Sequence, residues 1–148
     1  MANKVQAVPE GFHTLTAYLI VADANQELEF AKAAFDAQPV HISRLPDGSI
    51  MHATLKIGTS MLMMGQARGE RKPVPAMIYM YVEDADAVYK RALACGAKSV
   101  QEPVDQPYGD RTGGVQSSNG IEWWIGTHIA DVSEEELQQL SAKMAAAH

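Results

Sequence analysis

The sequence predicts an α+β fold: two βαβββ modules forming curved mixed sheets around a central cleft, plus a C-terminal helix. Two observations predict it. Two capped amphipathic helices are each preceded by one strand-like run and followed by several more, separated by turn signals. The chain also repeats itself. Val21-Ala22-Asp23-Ala24 is matched by Val82-Glu83-Asp84-Ala85, and Phe35-Asp36-Ala37-Gln38-Pro39-Val40 by Cys95-Gly96-Ala97-Lys98-Ser99-Val100. The offset is 61 residues before the helix and 60 after it, which places one slip inside the helix. Such a repeat fits duplicated units that bury their apolar faces poorly alone.

The first module covers residues 12–65. Leu15 to Val21 reads as its opening strand. Asp23 stands at a helix N-cap, with Gln26 three residues on as the partner of a capping box. Leu28, Ala31, Ala34 and Phe35 recur at helical spacing, and Pro39 stops the helix near Ala37. Strands are expected from Val40 to Arg44, Met51 to Ile57 and Met61 to Met64, with turns at Pro46-Asp47-Gly48 and Gly58. Residues 66–75 are polar, with glycine and two prolines, and read as a surface linker.

The second module covers residues 76–127. A strand from Met77 to Val82 leads to a helix capped by Asp84, striped by Ala85, Val88, Ala92 and Cys95, and ended by Gly96. Val100 opens a short extended segment, residues 103–108 read as a loop, and a hairpin spans Gly113 to Trp124 about the Asn119-Gly120 turn. A last helix, over 133–146, starts at Ser133 with Glu136 at its third position. Its stripe of Leu137, Leu140 and Met144 packs back on the domain or against a second subunit. At 148 residues the chain is expected to form one domain.

Composition excludes several roles. Net charge is −6, from 18 acidic and 12 basic residues, so no basic stripe suits nucleic acid; Arg68, Arg71 and Lys72, interrupted by Glu70, come nearest. The single cysteine, Cys95, forbids an internal disulfide and reads as a small core residue. No apolar run reaches the roughly 18 residues of a membrane span, and the N-terminal segment has no signal-like apolar core. A soluble cytoplasmic protein is expected.

Four phrases bear a family likeness. His13-Thr14-Leu15-Thr16-Ala17-Tyr18-Leu19-Ile20-Val21, Asp47-Gly48-Ser49-Ile50-Met51-His52-Ala53, Tyr108-Gly109-Asp110-Arg111-Thr112-Gly113 and the ending Asn119 to His128 together resemble the PhnB-like proteins of the glyoxalase/bleomycin-resistance (vicinal oxygen chelate) superfamily. The resemblance spans roughly residues 9–136 and implies paired βαβββ modules, usually assembled as a homodimer. In catalytic relatives a divalent ion sits on four inward-facing strand positions, two per half. By the resemblance these fall on Thr16, Leu62 or Met64, Met77 and Trp124. Threonine is a poor ligand, leucine and tryptophan cannot coordinate, and thioethers favour soft metals. The resemblance therefore implies loss of the usual metal, and no cofactor is expected in its place.

Candidate site residues follow from side-chain chemistry. His52 is a candidate acid/base or ligand contact, since imidazole transfers protons near neutral pH; structural hydrogen bonding is the competing reading. His13 is a weaker candidate. His128 is placed beyond the last strand as a surface or cap residue, and His41 and His148 offer less. Arg111 presents a planar fork for a carboxylate or phosphate, with Asp110 to orient it and Tyr108 to pack along a ligand; alternatively the Asp–Arg pair fastens a loop. Met77 and Trp124 are candidates to line an adaptable organic pocket, or simply to plug it. The leading function is metal-independent binding of a small organic ligand. The alternatives are a small-molecule lyase, isomerase or transferase, with His52 as acid/base and Arg111 stabilising an anion, and a structural or protein-interaction module.

Overall fold

The computed structural model describes residues 4–147; residues 1–3 and His148 lie outside the described residues. The first module contains β1 (Ala17–Val21), α1 (Ala24–Phe35), β2 (Gln38–Arg44), β3 (Ile50–Ile57) and β4 (Ser60–Gln66). The second contains β5 (Met77–Tyr81), α2 (Ala85–Ala94), β6 (Lys98–Asp105), β7 (Asp110–Gln116) and β8 (Glu122–His128), and α3 (Glu134–Ala146) follows. The sheets repeat one topology, β1-β4-β3-β2 and β5-β8-β7-β6, with the first pair in each parallel and the others antiparallel. This is the duplicated α+β architecture that the sequence predicts.

Contacts divide the chain into two compact units. One ends at Ala76 and takes in Ser118–Gly120; the other is Met77–Ser117 and the chain from Ile121 on. Asn119 is tied into the first unit, donating to the Asp23 carbonyl at 2.8 Å and to Glu27 at 3.1 Å.

The expected caps form. Asp23 accepts from the Gln26 amide, Asp84 from the Ala87 amide and Ser133 from the Glu136 amide, each at 3.1 Å. Helix α1 stops at Phe35, two residues before the expected end, because Asp36 turns into the left-handed region (φ 55°) and β2 starts at Gln38. Proline does not break that strand. Pro39 lies in β2 and Pro103 in β6, both edge strands, where a missing N–H need not interrupt the ladder. The loop expected over 103–108 is thus strand as far as Asp105, with shifted pairing between Gln101 and Val104.

The segment 66–75 also departs from the expected linker. Arg68 and Arg71 exchange both backbone hydrogen bonds, at 3.0 and 2.8 Å, across a tight turn at Gly69-Glu70. Its flanks are pinned to β1: the Ala67 amide donates to Val21 at 2.8 Å, and the Val74 amide to Ile20 at 3.0 Å.

Strand alternation gives each sheet a helix-covered face and an open face. In the first sheet the register aligns Leu19, Met64 and Ala53, all fully buried on the α1 side, with Leu62 and Leu55 beside them. The neighbouring row, Tyr18, Met63 and Thr54, faces the other way. In the second sheet Trp123, Val115 and Ile125 are buried on the α2 side, and Tyr79, Trp124 and Gly114 form a row on the open side. Helix α3 buries no residue. No helix among the described residues is long and apolar enough to cross a membrane.

Candidate functional site

The open face of the first sheet carries a chain of polar side chains. The Tyr18 hydroxyl meets His52 Nδ1 at 3.0 Å, and His52 Nε2 meets the Thr54 hydroxyl at 3.1 Å. His41 stands on the neighbouring strand, 6.4 Å from the His52 ring and bonded to Ser43 at 2.8 Å. Both ring nitrogens of His52 are thus engaged by hydroxyl groups. The Tyr18 ring lies over Gly65, where an added Cβ would come within 3.0 Å of its hydroxyl and 2.8 Å of the Met51 carbonyl. Only glycine leaves that ring room to lie flat.

Beside Tyr18 a groove of about 490 Å³ opens, lined by Tyr18, Ile20, Met51, Gly65, Gln66 and the arginine turn, Arg68, Gly69 and Arg71. That volume falls within the range of roughly 300–1,000 Å³ usual for small-molecule sites. Its walls combine the apolar Ile20 and Met51 with the Tyr18 phenol and the two arginines, whereas the Gln66 amide oxygen accepts from the Ala24 N–H at 3.3 Å.

The open face of the second sheet is organised around Asp110, which is only 4% exposed. One carboxylate oxygen accepts from Tyr79 at 2.8 Å and Tyr81 at 2.9 Å; the other meets His128 Nδ1 at 2.9 Å. Tyr79 gives its one proton to Asp110, so the Thr112 hydroxyl, 2.7 Å away, donates to Tyr79. His128 Nε2 reaches Asp131 at 2.8 Å. Burial alone would raise the Asp110 pKa, but the bonds from His128, Tyr79 and Tyr81 outweigh it and hold the carboxyl below its ordinary value. His128 is held above its ordinary value by Asp131 and Asp110. The Tyr79 hydroxyl is pushed well up, chiefly by burial, and that of Tyr81 is raised chiefly by its bond to Asp110.

Two further glycines make room for rings on this face. An added Cβ at Gly126 would meet the Tyr79 hydroxyl at 2.5 Å, and one at Gly114 would meet the Trp124 ring at 3.0 Å. Tyr79 over Gly126 repeats Tyr18 over Gly65 at the offset of 61 residues seen in the sequence. The internal repeat was the signal that could have found both pairs.

Several sequence-derived assignments change. Arg111 and Asp110 are neighbours on β7 and so point to opposite sides of the sheet. Asp110 does not orient Arg111. Arg111 instead lies towards α2, with Nε and Nη2 on Asp86 at 2.7 and 3.0 Å and Nη1 on Asp105 at 3.0 Å. These carboxylates raise its pKa and occupy its fork. Asp110 joins Tyr79, Tyr81 and His128 in place of the expected ligand-orienting role. His128 is the last residue of β8, not a residue beyond it. Met77 is well exposed on the open face, Trp124 is half-buried there, and Tyr108 is exposed in the turn before β7.

The metal positions also shift. Leu62 and Met64 turn into the core under α1, and Met63 holds the open-face position between them. The residues then facing out, Met63, Met77 and Trp124, with Thr16 ahead of β1, do not fit a divalent ion, for they offer thioethers, an indole and a hydroxyl. Among the described residues no three His, Cys, Asp or Glu side chains form a metal-holding group.

Comparison with known proteins agrees with this fold. A computed family model for the Glyoxalase/Bleomycin resistance protein/Dioxygenase superfamily matches residues 11–125. An uncharacterised protein of Mycobacterium bovis is 34% identical over 137 residues, covering 84% of this chain and 89% of the relative. Among solved structures, TioX from Micromonospora sp. ML1 superimposes with a TM-score of 0.64 at 22% identity, over 79% of this chain and 99% of that one. A PhnB protein from Bacillus cereus gives 0.60 at 19% identity, over 78% and 99%. The structural likenesses speak for the fold, and the family match speaks for descent: the chain belongs to the glyoxalase/bleomycin resistance/dioxygenase superfamily.

Proposed function

We propose that this protein binds a small organic molecule in the groove of its first unit, without a resident metal ion. The groove beside Tyr18 is the observation on which this rests: about 490 Å³, partly apolar, with convergent polar groups at its edge. The donor chemistry of the outward-facing strand residues supports the second clause, since thioether and indole groups are poor partners for a hard or borderline ion.

The test is a fluorescence titration with N-phenyl-1-naphthylamine, a neutral aromatic probe. Saturable binding is expected, unchanged by EDTA and by added zinc, nickel or manganese. Met51→Trp should block it by filling the groove from an exposed position. No saturable binding by the native protein, or binding lost in EDTA and restored by metal, refutes the proposal.

The Tyr18–His52 contact favours a second reading, in which the groove is an active site for a lyase, isomerase or transferase. His52 would then exchange a proton with the ligand through the Tyr18 hydroxyl, and Arg111 would take no part. Protein-dependent loss of C–H signals from small α-keto and α-hydroxy acids in D2O, abolished by His52→Gln, would support it. Unchanged spectra across that panel count against it.

A further inference from the structure

We infer that the ligand of this groove is an organic anion, held at its acidic head by Arg68 and Arg71. The inference rests on the groove being a binding site and adds the ligand's charge.

Three observations lead to it. First, the reciprocal backbone hydrogen bonds make Arg68 and Arg71 a directly opposed pair, so both side chains leave the ribbon on the same side. Both line the groove. Like charges placed opposite one another repel, so an anion between them relieves a repulsion that the free protein carries.

Secondly, neither guanidinium is in an ion pair among the described residues, in a chain of net charge −6. The contrast with Arg111, whose fork is filled by Asp86 and Asp105, is direct. Asp47 is close enough for its carboxyl to feel Arg68, yet its carboxylate is engaged by the Ser49 hydroxyl at 2.6 Å and amide at 2.9 Å. Glu70, in the turn between the arginines, also makes no ion pair among the described residues.

Thirdly, the turn is fixed in place. Gly69 takes the left-handed corner at φ 55°, and Ala67 and Val74 pin both flanks to β1. Two forks on a fixed turn make a preorganised site for a carboxylate, sulfonate or phosphate oxygen set, while Ile20, Met51 and Tyr18 receive an apolar body.

A matched pair of probes separates the charge from the groove: 8-anilinonaphthalene-1-sulfonate, which is anionic, and N-phenyl-1-naphthylamine, the same ring system without the sulfonate. The native protein should bind the anion about tenfold more tightly, the fold-change of two partly exposed charge contacts. Arg68→Gln with Arg71→Gln should remove that advantage, so that the variant binds the two probes equally. Replacement of both by lysine should restore part of it, since charge returns without the planar fork. Equal affinity for both probes, or an anion advantage that survives the double glutamine variant, overturns the inference while leaving the groove as a binding site. Blocking by Met51→Trp of the neutral probe but not the anion also overturns it, because the anion then sits elsewhere. Failure of both probes to bind native protein removes the binding site itself.

Discussion

Replacing Asp110 with asparagine tests whether its carboxylate holds the open face of the second sheet together. Asparagine keeps the shape but turns one oxygen into an NH2 donor and removes the charge. One amide orientation aims that NH2 at the Tyr79 and Tyr81 hydroxyls, the other at His128. A hydrogen bond to a charged acceptor contributes about 1.5–3 kcal/mol when shielded, and less where water can replace the partner. Tyr79, 38% exposed, is the least exposed of the three partners and keeps Thr112; Tyr81 and the His128 ring are more exposed and rehydrate. The loss should therefore be roughly 2–3 kcal/mol, or about 5–10 °C in Tm for a chain of this length.

The gap between the native protein and the variant must also depend on pH. Asp110 lies below its ordinary value of 3.8, so its contribution is present above that value and is lost as pH falls through the lower folded one. His128 lies above its ordinary 6.5, so its contribution is complete below 6.5 and is lost as pH rises through the higher folded value. Melting followed by near-ultraviolet circular dichroism should show the widest gap between about pH 4 and 6.5, narrowing on both sides. A gap that stays flat from about pH 3 to 9, or a variant that melts with the native protein, refutes this account.

Other expectations are simpler. Trp123→Ala, at a side chain 1% exposed beneath α2, should cost about 3–5 kcal/mol in chemical denaturation, whereas Trp124→Ala on the open face should cost clearly less. Arg111→Ala should lower Tm slightly, by an amount that shrinks in high salt, and leave both naphthyl probes bound as before; weakened probe binding would return Arg111 to the site. A homodimer is proposed through α3, whose Leu137, Leu140 and Met144 stripe leaves no residue of the helix buried. Sedimentation should give twice the 16.1 kDa chain mass, falling to the monomer when residues 133–148 are removed; a native monomer at micromolar concentration refutes it.

Capping residues, helical stripes and the repeat made both modules legible, because each is a local signal with a fixed spacing. The polar hub was less visible, since its partners stand 18 to 33 residues apart. Yet the Asn119-Gly120 turn already contained part of it. The turn pairs Gln116 with Glu122, and counting outwards pairs Asp110 with His128, as the structure has it. Starting the expected strand at Gly113 cut that ladder short and left Asp110 and Arg111 in a loop, where neighbours can cooperate. On a strand they cannot, because alternation sends them to opposite faces.

The side-facing error at Leu62 and Met64 has a different cause. Ser60-Met61-Leu62-Met63-Met64 is apolar at every position after the serine, so it has no alternation to read. Only parallel pairing with β1 decides the matter, by setting Met63 beside Tyr18 and burying its neighbours. The arginine turn was hidden for a third reason. Its composition is that of a linker, and its order comes from backbone bonds to β1, which composition does not encode. In each case the missing information was strand pairing, and in each case it decides which side chains reach the open face where a ligand could meet them.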